Sequence, residues 1–161
     1  MKIGIISDTH GNRGAVEAVL NAARGIDLWL HAGDFIDDAA YLEQLADTGV
    51  VKVAGNGDWP RGDAPNETVV EADGHKIFLT HGHTYDVNHG TSILLEAARD
   101  AGCDIAVYGH THRVDYVKDA IIVLNPGSAS RPRDERRPSF MVMELLPGQE
   151  PEVKVYRLED E

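Results

Sequence analysis

The chain has 161 residues, a mass of 17.6 kDa and a formal net charge of −12 at pH 7. That length suits a single domain spanning 1–161, and the acid excess argues against broad binding to a nucleic-acid backbone. No apolar run is long enough to span a bilayer, and a single cysteine, Cys103, excludes an internal disulfide framework or a thiolate zinc cluster and reads as a small buried hydrophobe.

The chain opens on KIGIIS (2–7), a short apolar run that passes into polar residues, as a buried strand does. It lacks the longer apolar stretch and small-residue cleavage site of a secretion signal, so a cytoplasmic address is expected. Residues 13–24 place Val16, Val19, Leu20 and Ala23 on one helical stripe. LWLHA (28–32) reads as a second strand, Tyr41, Leu42, Leu45 and Ala46 as a second helix, and VVKVA (50–54) as a third strand. This alternation predicts parallel pairing through right-handed crossovers. ETVVEA and KIFLT then flank Asp73-Gly74, a hairpin signal. Residues 90–102, with Ile93, Leu94, Ala97 and Ala98 in register, predict a third helix closed by Gly102. The strands that follow, 104–109, 113–118, 120–125, 139–145 and 152–158, are expected to form an antiparallel tail whose exposed strands could pair between copies of the chain. The fold class expected is α/β: two mixed β-sheets packed face to face and flanked by helices, in a single domain.

Five polar clusters interrupt this pattern, each at the end of an expected strand: Asp8-x-His10, Gly33-Asp34, Gly55-Asn56-Gly57-Asp58, His81-Gly82-His83 and Gly109-His110-Thr111-His112. Each alone has a bland reading. An Asp after a strand often caps a helix or forms a turn, and His-Gly-His suits a surface loop. The His110-Thr111-His112 pair is the most specific, because two imidazoles at a strand end are a common chelating arrangement. Taken together, the clusters resist a structural explanation. Ligands gather at the carboxyl ends of strands in α/β sheets, and this much buried polarity would cost several kcal/mol per group without a metal or dense hydrogen bonding. Imidazole, carboxylate and amide donors without a thiolate suit Mn, Fe, Co, Ni or Zn. A shared carboxylate can hold two such ions at the spacing used for in-line phosphoryl displacement.

DTHGN, GDxxD, GNxD, THGH and GHTH, in this order, resemble the signature of the calcineurin-like metallophosphoesterases. The short chain and the Asn125-Pro-Gly-Ser128 segment followed by Pro132-Arg133 are similar to the small prokaryotic phosphodiesterase branch. The resemblance implies a four-layer sandwich and two divalent metal ions, with manganese the first expectation. Asp8, His10 and His112 would hold one ion, Asn56, His81 and His110 the other, and Asp34 would bridge. It also implies hydrolysis of a small phosphorylated substrate by attack of a metal-bridging hydroxide on phosphorus. Asn12 and Asn56 would contact the substrate, although Asn12 could equally cap the first helix.

The sequence departs from that pattern at one point. Many relatives carry a His directly after the motif Asn, to protonate the leaving group; here the position is Gly57. Asp58, which orients that His in relatives, is left to support a ligand histidine, and His83 becomes the expected proton donor alongside water. A scaffold resembling a retromer subunit, with a vestigial metal site, is the alternative; such scaffolds are expected to lose ligands, and all seven positions are filled here. A nuclease of the same superfamily is disfavoured by the acidic charge and the lack of a basic channel. Other residues read plainly. His31 is expected as a hydrogen-bonded core histidine, His75 as exposed, and His89 as a helix-start residue. Asp37 and Asp38 open the second helix, the acidic end Glu159–Glu161 frays into solvent, and the RPRDERR run (131–137) is a solvated loop unless its arginines grip a second phosphate.

Overall fold

The computed structural model describes residues 1–58, 64–134 and 137–158. The acidic end, 159–161, and two positions of the 131–137 run, 135 and 136, lie outside the described residues.

The first half forms as the periodicities predict. β1 (Lys2–Ile6), α1 (Arg13–Ala22), β2 (Leu28–His31), α2 (Ile36–Ala46) and β3 (Gly49–Lys52) follow in order, and β1–β2 and β2–β3 pair in parallel. α1 begins where Asn12 Oδ1 accepts from the Ala15 N–H, satisfying one of the free donors of a helix start. It ends at Ala22, two residues before the expected limit. Asp37 and Asp38 stand in the first turn of α2, and Asp38 is buried there with its Oδ2 accepting the Gly11 N–H at 2.8 Å. That bond ties α2 to the loop after β1, a larger role than favouring the helix dipole.

β4 (Glu67–Ala72) and β5 (His75–Thr80) make the antiparallel hairpin around Asp73-Gly74. α3 (Ser92–Asp100) is shorter than the 90–102 expectation. It leads to β6 (Ile105–Val107), followed by β7 (Val114–Lys118), β8 (Ile122–Pro126), β9 (Ser139–Glu144) and β10 (Glu152–Arg157). The expected antiparallel tail needs correction here, because β6 runs parallel to both β5 and β8. All three β6 residues are buried, and a continuous apolar run with no polar face is what a central parallel strand requires.

The sheets have the orders β10-β9-β1-β2-β3 and β4-β5-β6-β8-β7, and both mix parallel with antiparallel pairs. Ile3, Ile5 and Leu30 from one sheet meet Ile77, Leu79, Ile105, Val107 and Leu124 from the other. The opposite face of the first sheet, with Ile6, Trp29 and Phe140, packs under Val16, Val19 and Leu42 of α1 and α2. The outer face of the second, with Phe78, Ala106 and Val123, packs under Leu94 and Ala98 of α3. Gly4 opposes Trp29 in the parallel register, and its missing side chain leaves room for the indole ring, which a Cβ would overlap. The layers therefore run helix, sheet, sheet, helix; β1, β2 and β3 run parallel to one another in the first sheet, with β3 at its edge, and β5 and β6 do so in the second.

Candidate metal centre

All seven expected ligands lie just past the carboxyl ends of those five strands. Asp8, His10, Asp34 and Asn56 come from the first sheet, and His81, His110 and His112 from the second, so the site spans the seam between them. The backbone there is unusual: Asp8, His10, Asp34, His110 and His112 all have positive φ, between 49° and 73°. Left-handed backbone is costly for a residue with a Cβ, and its clustering at one place marks a functional constraint.

One set of donors faces inward around Asp8. His112 donates Nδ1–H to the Arg131 carbonyl at 2.7 Å, which leaves the lone pair of its Nε2 pointing into the site. That nitrogen lies 3.1 Å from His10 Nε2 and 3.3 Å from Asp8 Oδ1. His10 Nε2 in turn lies 3.6 Å from Asp34 Oδ2. Asp8 Oδ2 accepts from Ser7 Oγ and the His110 N–H, whereas Asp8 Oδ1 is buried with no hydrogen-bond partner. Candidate ligand atoms of Asp8, His10, Asp34 and His112 all fall within 4.8 Å of one another.

The second set gathers around His81. Its Nδ1–H donates to the Ala32 carbonyl at 2.7 Å, so Nε2 again carries the lone pair. Around that nitrogen stand Asn56 Oδ1 at 3.1 Å, His110 Nδ1 at 3.2 Å and Asp34 Oδ1 at 3.4 Å. Asp34 thus turns one oxygen to each set. Lone pairs packed this closely repel unless a cation sits among them, and separations slightly above 3 Å are those of neighbouring ligands on one ion. The residues present fit a divalent metal.

Protonation states agree. Burial holds the imidazoles of His10 and His110 below the ordinary range, helped at His110 by His81, so both stay neutral as ligands must. Burial would lower His112 and raise Asp8, but their mutual attraction outweighs it: His112 is raised, and Asp8, helped also by His81 and Ser7, is lowered. A proton on His112 is therefore the natural competitor of a cation at Asp8.

Glycines let the loops close. A Cβ at Gly55 would overlap Asp34 Oδ1 and sit 2.6 Å from the Asp34 nitrogen, and one at Gly33 would stand 2.7 Å from His81 Nδ1. One at Gly109 would meet Ser7 Oγ and Asp8 Oδ2.

The remaining expected site residues divide. The His83 ring is half-buried, 5.4 Å from the His81 ring and 6.3 Å from that of His110, and its Nδ1 is buried without a partner. Asn12 caps α1 through Oδ1. Asp58 requires correction: it supports no histidine, because Oδ1 accepts from the N–H groups of Phe35 and Ile36 and Oδ2 from that of Gly55. It therefore fixes the loops carrying Asp34 and Asn56. His31 is fully buried and hydrogen-bonded, as expected, to Thr9 Oγ1 and the Gly33 N–H. His75 is not the exposed residue expected; it is largely covered and bonds Asp104 at 2.6 Å. His89 lies in a separate 3-10 turn, exposed, against Asp86. Sequence reasoning missed the supports. Ser128 and Ser130 both donate to the Asp8 carbonyl, and Asn88 Nδ2 meets His110 Nε2 at 3.1 Å. Single serines and asparagines in loops carry no spacing signal that would reveal such roles.

Comparison with known proteins agrees with this geometry. The calcineurin-like phosphoesterase superfamily domain matches residues 1–147. A probable metallophosphoesterase of Methanothermobacter thermautotrophicus is 37% identical over 90% of this chain and 86% of its own length. A phosphodiesterase of Methanocaldococcus jannaschii is 35% identical over 79% of this chain and 83% of its own. Vacuolar Protein Sorting 29 from Cryptosporidium parvum superposes with a TM-score of 0.74 at 25% identity, covering 99% of this chain and 98% of that one.

Proposed function

Since the chain belongs to the calcineurin-like phosphoesterase superfamily, we propose that it is a two-metal phosphodiesterase acting on a small phosphate ester. The observation that carries this reading is the convergence of lone pairs around Asp34, whose two carboxylate oxygens stand 3.6 Å from His10 Nε2 and 3.4 Å from His81 Nε2. One ion would be held by Asp8, His10, Asp34 and His112, the other by Asp34, Asn56, His81 and His110. Bound divalent cations would supply a water of lowered pKa and offset charge on the phosphoryl oxygens.

The chain's own groups do the rest. Asp34, oriented by the Gly57 N–H at 2.8 Å, sets the spacing of the two ligand sets. The side-chain amides of Asn56 and Asn12 can donate to a phosphoryl oxygen. With Gly57 in place of an imidazole, His83 is the side chain positioned to hand a proton to the departing alkoxide. The left-handed turns hold the ligands ready, so little reorganisation is needed when substrate arrives.

Metal analysis and hydrolysis of an aryl phosphodiester by wild type, Asp34→Asn and His110→Ala test this reading. Metal-dependent hydrolysis that falls by orders of magnitude in both variants is expected. Equal rates in all three proteins would sink the two-metal mechanism. The likeness to Vacuolar Protein Sorting 29 supports a second reading, a binding scaffold on the same fold; stoichiometric folding with neither bound metal nor hydrolysis would favour it. The full ligand set supports the hydrolase.

A further inference from the structure

Across the His110 ring from the ligand set lies a cavity of about 520 Å³, a size typical of small-molecule sites. Asn88, which touches His110 on the side away from His81, forms part of its wall. Thr111, Arg113 and Arg133 line it as well, and the Arg133 N–H is anchored to the His112 carbonyl at 2.8 Å. The cavity therefore abuts the metal centre through the His110 ring and the His112 carbonyl.

Its charge runs against that of the protein. The chain has 27 acidic residues for 15 basic ones, so an arginine has many possible partners. Yet the guanidinium groups of Arg113 and Arg133 make no hydrogen bond or ion pair among the described residues. The carboxylate on the cavity wall, Asp115, is engaged by the Tyr108 hydroxyl at 2.6 Å. Thr111 Oγ1 accepts from Asn125 Nδ2 and the Arg113 N–H, which leaves its own hydroxyl proton to donate outward. The cavity thus offers two uncommitted cations and a hydroxyl donor, a set suited to an oxyanion. A phosphate, with three acceptor oxygens and nearly two negative charges, can engage both guanidinium groups and the hydroxyl at once, which the two oxygens of a carboxylate cannot.

We propose that this cavity is a subsite for the second phosphate of a bisphosphorylated small molecule whose other phosphate is the ester bound at the metal centre. The proposal rests on the phosphoesterase reading of that centre. It makes Arg113 and Arg133 determinants of specificity rather than of the chemical step.

The test uses the metal-loaded full chain and alkane bisphosphonates of graded length, whose carbon–phosphorus bonds resist hydrolysis, each compared by calorimetry with its monophosphonate. Wild type should bind the best-fitting bisphosphonate about tenfold or more tightly than the monophosphonate, the worth of one or two charge-assisted contacts. Arg113→Gln and Arg133→Gln should each reduce that ratio, and together bring it near one. Both side chains are exposed, so unchanged melting curves check that the variants fold. A wild-type ratio near one, or a ratio the substitutions leave unaltered, overturns the subsite. Hydrolysis of a plain aryl phosphodiester by wild type is read in parallel. Its absence, with the binding ratio intact, refutes the phosphoesterase reading and not the recognition of two phosphates.

Discussion

Gly57 donates its N–H to Asp34 Oδ1 at 2.8 Å, and a Cβ added at Gly57 would stand 3.0 Å from the same oxygen. The residue that lacks a proton-donating side chain is thus also the one that aims the carboxylate facing both His10 and His81.

Two glycine substitutions should separate on this account. Gly57→Ala asks Asp34 to give by a few tenths of an ångström, and metal affinity should fall by less than about tenfold. Gly55→Ala drives a methyl group into Asp34 Oδ1 and its backbone nitrogen. Calorimetric metal titration should find Gly55→Ala unable to bind two ions, and equal affinities in the two variants would contradict the geometry.

The proton donor can be read from a ratio of rates. Burial and the neighbouring His81 hold the His83 imidazole below its ordinary range, so its protonated form grows as pH falls below about 6.5. Hydrolysis of an alkyl ester, relative to a nitrophenyl ester, should rise over that interval, with metal loss cancelling in the ratio. His83→Gln should flatten the profile and slow the alkyl ester by roughly 10²-fold or more. A ratio indifferent to pH and to the substitution would assign the proton to water.

His31 predicts acid sensitivity from the core. Its Nδ1 accepts the Gly33 N–H, so the ring proton sits on Nε2 facing Thr9 Oγ1, and a second proton would break the Gly33 bond. Burial pushes the imidazole down to about 4. The folded state therefore takes up this proton later than the unfolded chain. The stability is complete above pH 6.5, and on the order of 3 kcal/mol is lost as pH falls from there to about 4. Urea melts should show wild type losing its advantage over His31→Gln across that window, and a constant advantage would rule the argument out.

Ser128→Ala tests the clamp on the first motif. The hydroxyl donates to the Asp8 carbonyl at 2.7 Å and accepts the N–H groups of Arg131 and Ser130. Its removal unpairs the N–H groups of Arg131 and Ser130 and leaves the Asp8 carbonyl to Ser130 alone, at a cost of about 1 kcal/mol. Thermal melting should show that loss together with weaker metal binding, because Arg131 also holds His112. An unchanged metal affinity would make Ser128 a purely structural residue.

The strands were legible because apolar runs such as KIGII and IAV can only be buried. Their pairing was less so. The run at 105–107 says that β6 is central, but not that β8 returns beside it in parallel, because that depends on contacts distant in sequence. The ligand clusters were legible as well, since seven metal-competent residues each follow a strand. The partners that fix them are mostly backbone carbonyls, Ala32 for His81 and Arg131 for His112. Every residue has a carbonyl, so no side-chain pattern announces this. Asp58 misled for a related reason: its partners are three backbone N–H groups, invisible in a motif.

Because three histidines come from one sheet and the carboxylates from the other, cations seated between them would act as rivets joining the two halves of the sandwich. Their loss would loosen the seam as a whole and not one loop. Conversely, a cavity opened in the inter-sheet core at Met141 or Met143, far from any ligand in sequence, would shift one row of ligands against the other. With cations bound, the tolerance of the hydrophobic core to substitution would be set by coordination distances, which are tighter than packing alone would demand.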